Sequence, residues 1–333
     1  MSVTIRDVAK EAGVSIATVS NVLNGTGKVG GNTRDVVLGA VKRLGYVPDV
    51  HARHLARGDH RTLGIIISDI TNPFFPEVVK GFEARGLQLG YDVILKDTNY
   101  DVRRTREAAE RMMEHKVRGV AVMTSEISQE LIHEFVRRRI AVTFLDHAPI
   151  RKYMSNLRID YQSGVKTTVQ HLHSLGHRRI AFVAGRPTLN SNVVRLEAYQ
   201  ECMHILGLEP GPVLSGNLRF EGGLVAGTTI AKMSPRPTAI VAVNDLTAVG
   251  VIKGLLNSGC RVPEDISVTG FDKTRLAEYS NPSLTTVDVH RDALGKVAVE
   301  ALHELSSSEN PQGREYAIET ELVIGGSTGP ASH

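Results

Sequence analysis

The chain contains no tryptophan, only two cysteines and only 5% aromatic residues among its 333 positions. Cys202 and Cys260 make no disulfide framework, and no Cys-x-x-Cys or Cys/His zinc spacing occurs, which excludes a disulfide-stapled secreted scaffold and a zinc module. No run approaches the roughly 18 apolar residues needed to span a bilayer. The start, Met1-Ser2-Val3-Thr4-Ile5-Arg6-Asp7, lacks the apolar core of a secretory signal. What remains is ordinary for a globular chain, with 41% hydrophobic and 23% charged residues. The length calls for two or three domains. The expectation is a cytoplasmic, multidomain protein without metal or cofactor.

A net charge of +3 becomes informative when it is divided. Residues 1–61 hold nine Lys/Arg against five Asp/Glu, whereas the other 272 residues hold 30 against 31. The surplus of positive charge therefore sits in a short N-terminal segment, where it can face an anionic partner such as DNA phosphate. A plain solvated surface accounts for so small a surplus nearly as well, and the pattern has to decide.

Residues 4–46 read as three short helices. Thr4 is placed to cap the first, with Asp7 at capping-box spacing and Ile5, Val8 and Ala9 on one face. Gly13 supplies a turn within Ala12-Gly13-Val14. Ser15 caps a second helix with apolar positions Ile16, Val19, Val22 and Leu23. Val19, Val22 and Leu23 read as packing. A third helix from about Thr33 to Leu44 buries Val36, Val37, Ala40, Val41 and Leu44 and stops at Gly45. Two short helices joined by a tight turn fit a helix-turn-helix, although a small helical subdomain of an enzyme has the same spacing.

Beyond residue 61 short β-rich runs alternate with amphipathic helices. The runs are Leu63–Ser68, Val93–Leu95, Val117–Met123, Ala141–Leu145, Ile180–Ala184, Ala239–Val243 and Ile266–Phe271. The helices fall near 75–89, 103–115, 162–175, 193–206, 221–232, 246–258 and 291–305. Such alternation, with nearly continuous apolar strands, predicts parallel sheets covered on both faces, and this much chain predicts two lobes. Gly326 to His333 read as a frayed tail.

Several blocks together carry a family likeness: Thr4-Ile5-Arg6-Asp7-Val8-Ala9, Ala12-Gly13-Val14-Ser15, Thr18-Val19-Ser20-Asn21-Val22-Leu23-Asn24, Leu44-Gly45-Tyr46-Val47-Pro48, Asn72-Pro73-Phe74-Phe75, Leu175-Gly176-His177, Asn244-Asp245 and Gly270-Phe271-Asp272. With these the chain resembles the lactose-repressor/galactose-repressor family of bacterial transcription factors over essentially its whole length. The resemblance implies an all-α helix-turn-helix DNA-binding domain (1–47) and a hinge helix (48–60). It also implies an α/β core of two doubly wound parallel-sheet lobes, like periplasmic sugar-binding proteins. One lobe comprises 61–159 and 290–319, the other 160–289 and 320–328. Crossovers are expected near Ile159-Asp160, Val287–Val289 and Thr320-Glu321.

The resemblance also assigns residues. Ile16, Ala17 and Asn21 match base-facing positions, where Ile16 and Ala17 offer only apolar contact, for example to a thymine methyl. Many relatives carry Arg at the position of Asn21. Thr4, Ser15, Thr18, Ser20, Asn24, Thr33 and Tyr46 match phosphate contacts. Gly30-Gly31-Asn32 departs from the usual capping Ser before the third helix, so Asn32 is the expected substitute. In the hinge, Leu55 matches an apolar wedge that enters the minor groove, with Ala52 and Ala56 permitting close approach. In the core, strand ends are the natural ligand site, and Asn72, Phe74, Phe75, Asp146, Arg195, Leu218, Asn244 and Asp272 form the expected effector set. Leu218 stands where relatives often place an aromatic.

The reading is a homodimeric, ligand-responsive repressor of double-stranded operator DNA. It has a sugar or sugar derivative as the favoured effector, a purine or phosphorylated metabolite as the alternative, no membrane partner and no enzymatic activity. A solute-binding protein or a sugar-modifying enzyme is the remote alternative. Three other signals carry little. Gly25-x-Gly27-x-x-Gly30 follows a helix rather than a strand, so its dinucleotide reading lacks context. His171, His173 and His177 fit a helix C-terminus better than a metal site. Ser163-x-x-Lys166 has no accompanying acyl-enzyme motif.

Overall fold

A computed structural model describes residues 3–46, 61–146 and 150–332, without the side chain of Asn24. The expected hinge helix, with Ala52, Leu55 and Ala56, lies outside the described residues. The chain divides into two compact units, Met1–His60 and Arg61–His333. Among the described residues no helix is long and apolar enough to cross a membrane.

The first unit is three helices, α1 (Ile5–Ala12), α2 (Ile16–Asn24) and α3 (Gly31–Leu44). The Thr4 N–H and hydroxyl both donate to Asp7 Oδ2, at 2.8 and 2.7 Å. Ser15 Oγ accepts from the Thr18 N–H at 3.1 Å and caps α2. Between α1 and α2, Gly13 sits at φ 63°, a left-handed conformation that a residue with a Cβ adopts only at a cost. Val8, Ala9, Val19, Val22, Val37 and Ala40 close the small core. Two expectations fail in α3. The helix starts at Gly31 with Gly30 as N-cap and no side-chain cap, so Asn32 lies inside the first turn. Val36 is 46% exposed, because Val37 and Ala40 already occupy the face that meets α1.

The second unit holds two parallel sheets. One has six strands in the order β11-β5-β4-β3-β1-β2 and the other four in the order β7-β6-β8-β9, with a short antiparallel pair β10-β12. The first sheet comprises β1 (Thr62–Ile67), β2 (Asp92–Asp97), β3 (Gly119–Met123), β4 (Ala141–Leu145), β5 (Met154–Ile159) and β11 (Glu315–Ile318). The second comprises β6 (Ile180–Ala184), β7 (Val213–Ser215), β8 (Ala239–Ala242) and β9 (Ser267–Thr269), and the pair is β10 (Thr286–Asp288) and β12 (Glu321–Val323). The helices are α4 (Phe74–Gln88), α5 (Val102–Glu114), α6 (Gln129–Arg137), α7 (Tyr161–Ser174), α8 (Asn190–Ile205), α9 (Phe220–Ala231), α10 (Asp245–Asn257), α11 (Arg275–Tyr279) and α12 (Arg291–Ser307). The chain passes between the lobes three times: from β5 to α7, from β10 to α12, and from β11 to β12. One apolar cluster runs through both lobes, from Leu63 and Phe82 to Phe182 and Tyr199, and includes Ile159, Val287 and Val289 at the crossings.

The tail is ordered rather than frayed. Ser327 is fully buried; its carbonyl accepts from the Val268 N–H at 2.9 Å and its hydroxyl donates to the Val268 carbonyl at 2.6 Å. Further on, the Ala331 N–H donates to the Leu175 carbonyl at 2.9 Å. His177 Nε2 sits 3.0 Å from the Gly329 carbonyl and its Nδ1 3.0 Å from Thr238 Oγ1, which gives it a structural place. Among the described residues no group of three or more His, Cys, Asp or Glu is placed to hold a metal.

Helices α4 and α12 cross with backbones in contact. A Cβ on Gly295 would lie 2.1 Å from the Val78 carbonyl oxygen, and one on Gly81 2.2 Å from that of Asp292. Arg291 Nη2 to Glu77 Oε2 at 2.8 Å and Arg85 Nε to Glu300 Oε1 at 3.2 Å bridge the same two helices. Gly295→Ala should therefore force the helices apart and lower stability by about 1–3 kcal/mol, read as a lower urea midpoint of the core. An unchanged midpoint would remove the close crossing from the account.

Candidate functional site

The exposed face of α2 carries Ile16, Ala17 and Asn21, with Ser15 exposed and Thr18 and Ser20 half-buried. Ile16 is 45% exposed beside the fully buried Val19. A β-branched residue left bare on a helix whose other face packs is available for an apolar contact outside the unit. Asn21 is partly engaged: Thr26 Oγ1 donates to its Oδ1 at 3.4 Å. Thr4 is exposed, and Thr33 and Tyr46 are half-buried. The N-terminal end of α2 is exposed at Ser15, Ile16 and Ala17, and an exposed helix N-terminus is suited to phosphate. Gly25 and Gly27 lie in left-handed turns between α2 and α3, so the glycine string ends a helix and cradles no dinucleotide.

In the second unit, the eight residues expected from strand ends and resemblance surround one cleft that is open to solvent. Asn72, Phe74 and Phe75 come from the β1–α4 connection and the first turn of α4, and Asp146 from the end of β4. Arg195 is on α8, Leu218 and Asn244 precede α9 and α10, and Asp272 follows β9. Phe74 and Phe75 meet edge to face at 5.1 Å and are both largely buried, so each packs while also lining the cleft. Asn72 Oδ1 accepts from the Phe74 N–H at 3.1 Å, and Asn244 Oδ1 caps α10 by accepting from the Thr247 N–H at 3.0 Å.

Arg195 is the centre of the site. Its guanidinium lies 4.3 Å from the Tyr161 ring centroid and 4.4 Å from that of Phe271, a cation held by two π faces. Nη1 donates to the Val243 carbonyl at 3.0 Å, Nη2 stands 3.8 Å from Asp272 Oδ1, and buried Nε has no partner among the described residues. Three carboxyls share this region. Burial pushes Asp146 up to about 6, against the opposing hydrogen bonds from the Tyr161 hydroxyl (2.5 Å) and the Ile159 N–H (3.0 Å). Burial also raises Asp272, countered by Arg195 and Arg291. Asp245 is raised by burial and by Asp272, although the Thr274 N–H donates to its Oδ2 at 2.6 Å.

Sequence reasoning missed several residues of the cleft. Tyr161 faces it beneath Arg195, Tyr100 lies on the opposite wall, and Ser68, Thr124, Ser125 and Asn192 add short polar groups. The strand-end rule reaches Thr124 and Ser125 directly, since they follow β3, and Tyr100 soon after β2. Backbone strain marks the same place: Tyr100 (φ 56°), Asp146 (56°), Leu218 (67°) and Asp272 (107°) all have positive φ without being glycine. Such conformations concentrate where surroundings over-determine them, commonly at ligand sites. Burial pushes the Tyr100 hydroxyl up to about 12, with the Asp69 charge adding to it.

Known proteins share both units. Residues 4–49 match the family described as bacterial regulatory proteins, lacI family, and residues 169–328 match a periplasmic binding protein-like domain. The chain is 34% identical over 324 residues to the HTH-type transcriptional repressor PurR of Photobacterium profundum, covering 96% of this chain and 97% of that one. It is 33% identical to catabolite control protein A of Priestia megaterium, covering 93% and 94%. Among solved structures, the Lac repressor dimer bound to operator and the anti-inducer ONPF superposes with a TM-score of 0.88 at 27% identity, covering 99% and 100%. The complex of the transcriptional regulator CelR with cellobiose gives 0.73 at 27%, covering 98% and 99%. These relatives are regulators rather than enzymes, and the chain belongs to the lacI family of DNA-binding transcriptional repressors.

Proposed function

We propose that two copies of this chain bind a pseudo-palindromic operator and that a small hydroxyl-rich molecule, a sugar or sugar derivative, binds the cleft and changes their affinity for DNA. The observation that carries the effector reading is the Nε of Arg195, without a partner among the described residues, in a cleft lined by Asp272, Asp146, Asn72 and Asn244. Carboxylates and amide oxygens accept from hydroxyls while the guanidinium donates. A solved neighbour with bound ribose and one with cellobiose support the sugar. A purine is the second reading, favoured by the similarity to repressors named PurR. Leu218 in place of a stacking aromatic weighs against it.

Each half of the operator would meet α2, with Ile16, Ala17 and Asn21 toward bases and Thr4, Ser15, Thr18, Ser20, Asn24, Thr33 and Tyr46 toward phosphates. Leu55 would wedge into the minor groove at the centre, flanked by Ala52 and Ala56. An effector that binds one arrangement of the lobes better than another shifts operator affinity by that same differential, and the coupling is reciprocal.

A thermal-shift screen with ribose, cellobiose, glucose 6-phosphate and hypoxanthine separates the readings, because ligand at 100 times its dissociation constant adds about 2.7 kcal/mol of stability. Stabilisation by hypoxanthine alone would overturn the sugar. Arg195→Ala should abolish the shift given by the ligand that works. In gel shifts, Leu55→Ala should weaken operator binding far more than binding to random duplex, and equal losses would refute the wedge. The pH dependence has a defined sign. Asp146 titrates at about 6 in the folded chain against an ordinary value of 3.8, so its contribution is full at low pH and is lost as pH rises through about 6. Burial lowers His177 and works the opposite way over the same range, so the readout is a difference. Between about pH 5 and about pH 7, Tm should fall more for the wild type than for Asp146→Asn.

A further inference from the structure

The two walls of the cleft belong to different lobes, and charge joins them at its rim. Arg219 stands at the start of α9, and its Nη2 donates at 3.1 Å to Asp69 Oδ2 and at 3.1 Å to Asn99 Oδ1. Both acceptors belong to the other lobe, Asp69 after β1 and Asn99 after β2. Arg186, after β6, lays its guanidinium over the Tyr100 ring at 4.5 Å, and Arg275 reaches Glu77 at 3.8 Å. All three contacts run the same way, with cations from the second lobe and acceptors from the first.

The Arg219 contact is built at both ends. Its N–H is held by the Gly216 carbonyl at 3.1 Å and Asn217 Oδ1 at 3.2 Å. A Cβ on Gly222 would lie 2.1 Å from the Gly216 carbonyl oxygen, so this loop has no slack. On the receiving side, Asp69 Oδ1 is taken by the Thr71 N–H and hydroxyl at 3.0 and 2.6 Å, which leaves Oδ2 for the arginine. The Asp69 side chain is only 7% exposed against 42% for Arg219. A carboxylate so enclosed has little water to replace a lost partner, and removing the cation favours the open arrangement in which it is hydrated again.

We infer that Arg219 is a positioning residue that latches the cleft shut, with Arg186 on Tyr100 as a second point of closure. The inference rests on the cleft being the effector site, since a latch matters to function only if something is held behind it. A ligand between the lobes leaves when the latch breaks, so Arg219 sets its residence time without being needed to recognise it.

The latch is tested without effector or operator, by amide hydrogen exchange on the full chain at about 20 mM and about 1 M salt. At low salt, Arg219→Gln should exchange about three- to tenfold faster at residues 68–72 and 97–101, with β3 and β8 unchanged. Arg219→Lys, which keeps the charge, should retain most of the protection, and high salt should remove only part of the wild type's protection, because the enclosed Asp69 is weakly screened. Rim exchange in Arg219→Gln equal to wild type, a Lys variant no better than Gln, or equal acceleration in β3 and β8 would each overturn the latch. If the pattern appears while no sugar or nucleobase stabilises the protein, the effector reading fails and the latch stands.

Discussion

A guanidinium taken out of water must be compensated, and in this chain the sensor lobes are arranged around that requirement. Arg195 is compensated by two aromatic faces, one carbonyl and one carboxylate. Those partners come from α7, the end of β8 and the end of β9, so a single side chain ties together the floor of the second lobe. Tyr161 extends the chain of contacts into the first lobe through Asp146. Its ring supports the cation and its hydroxyl supports the acid, which makes it the joint between the two halves of the site. The polar side chains of Asn72, Asp146, Asn244 and Asp272 line the cleft beside it.

Both units balance rigidity against an unmet need. In the N-terminal helices the apolar face is used up by Val8, Val19, Val22 and Val37, and Ile16 is left outside. In the core, left-handed Tyr100, Asp146, Leu218 and Asp272 hold side chains at strand ends where regular backbone would turn them elsewhere. A tightly crossed helix pair and a continuous apolar cluster through the crossings supply the stiffness against which such strain is sustained.

Much of this was legible from residue types. Apolar runs such as Ala141–Leu145 and Ile180–Ala184 coincide with strands to the residue, because buried parallel strands are nearly all apolar and end sharply at polar groups. Helices α6 and α11 and strands β5, β7 and β11 went unread. Strands β7 and β11 are short, outermost in their sheets and only partly buried, so no apolar run announces them. In the site, residues with long-range signatures in the family pattern, such as Arg195 and Asp272, were readable. Tyr161 was not, since a crossover brings it to the cleft, and for Tyr100 only its place soon after β2 offered a signal. The tail was misread for a related reason. Its glycines and serines suggest looseness, whereas Ser327 is fixed by partners some 60 residues upstream that no local pattern reveals.

The threefold crossing has a consequence for synthesis order. The first lobe lacks its edge strand until residues 315–318 exist, and the outer side of β9, the side away from β8, lacks its hydrogen bonds to Ser327 until that residue exists. Neither lobe can close early, and both depend on contacts distant in sequence, which form slowly. Among the described residues, the core of the three N-terminal helices is made by residues up to Tyr46. On a ribosome, the three-helix unit can therefore bury its core long before either lobe of the second unit is complete.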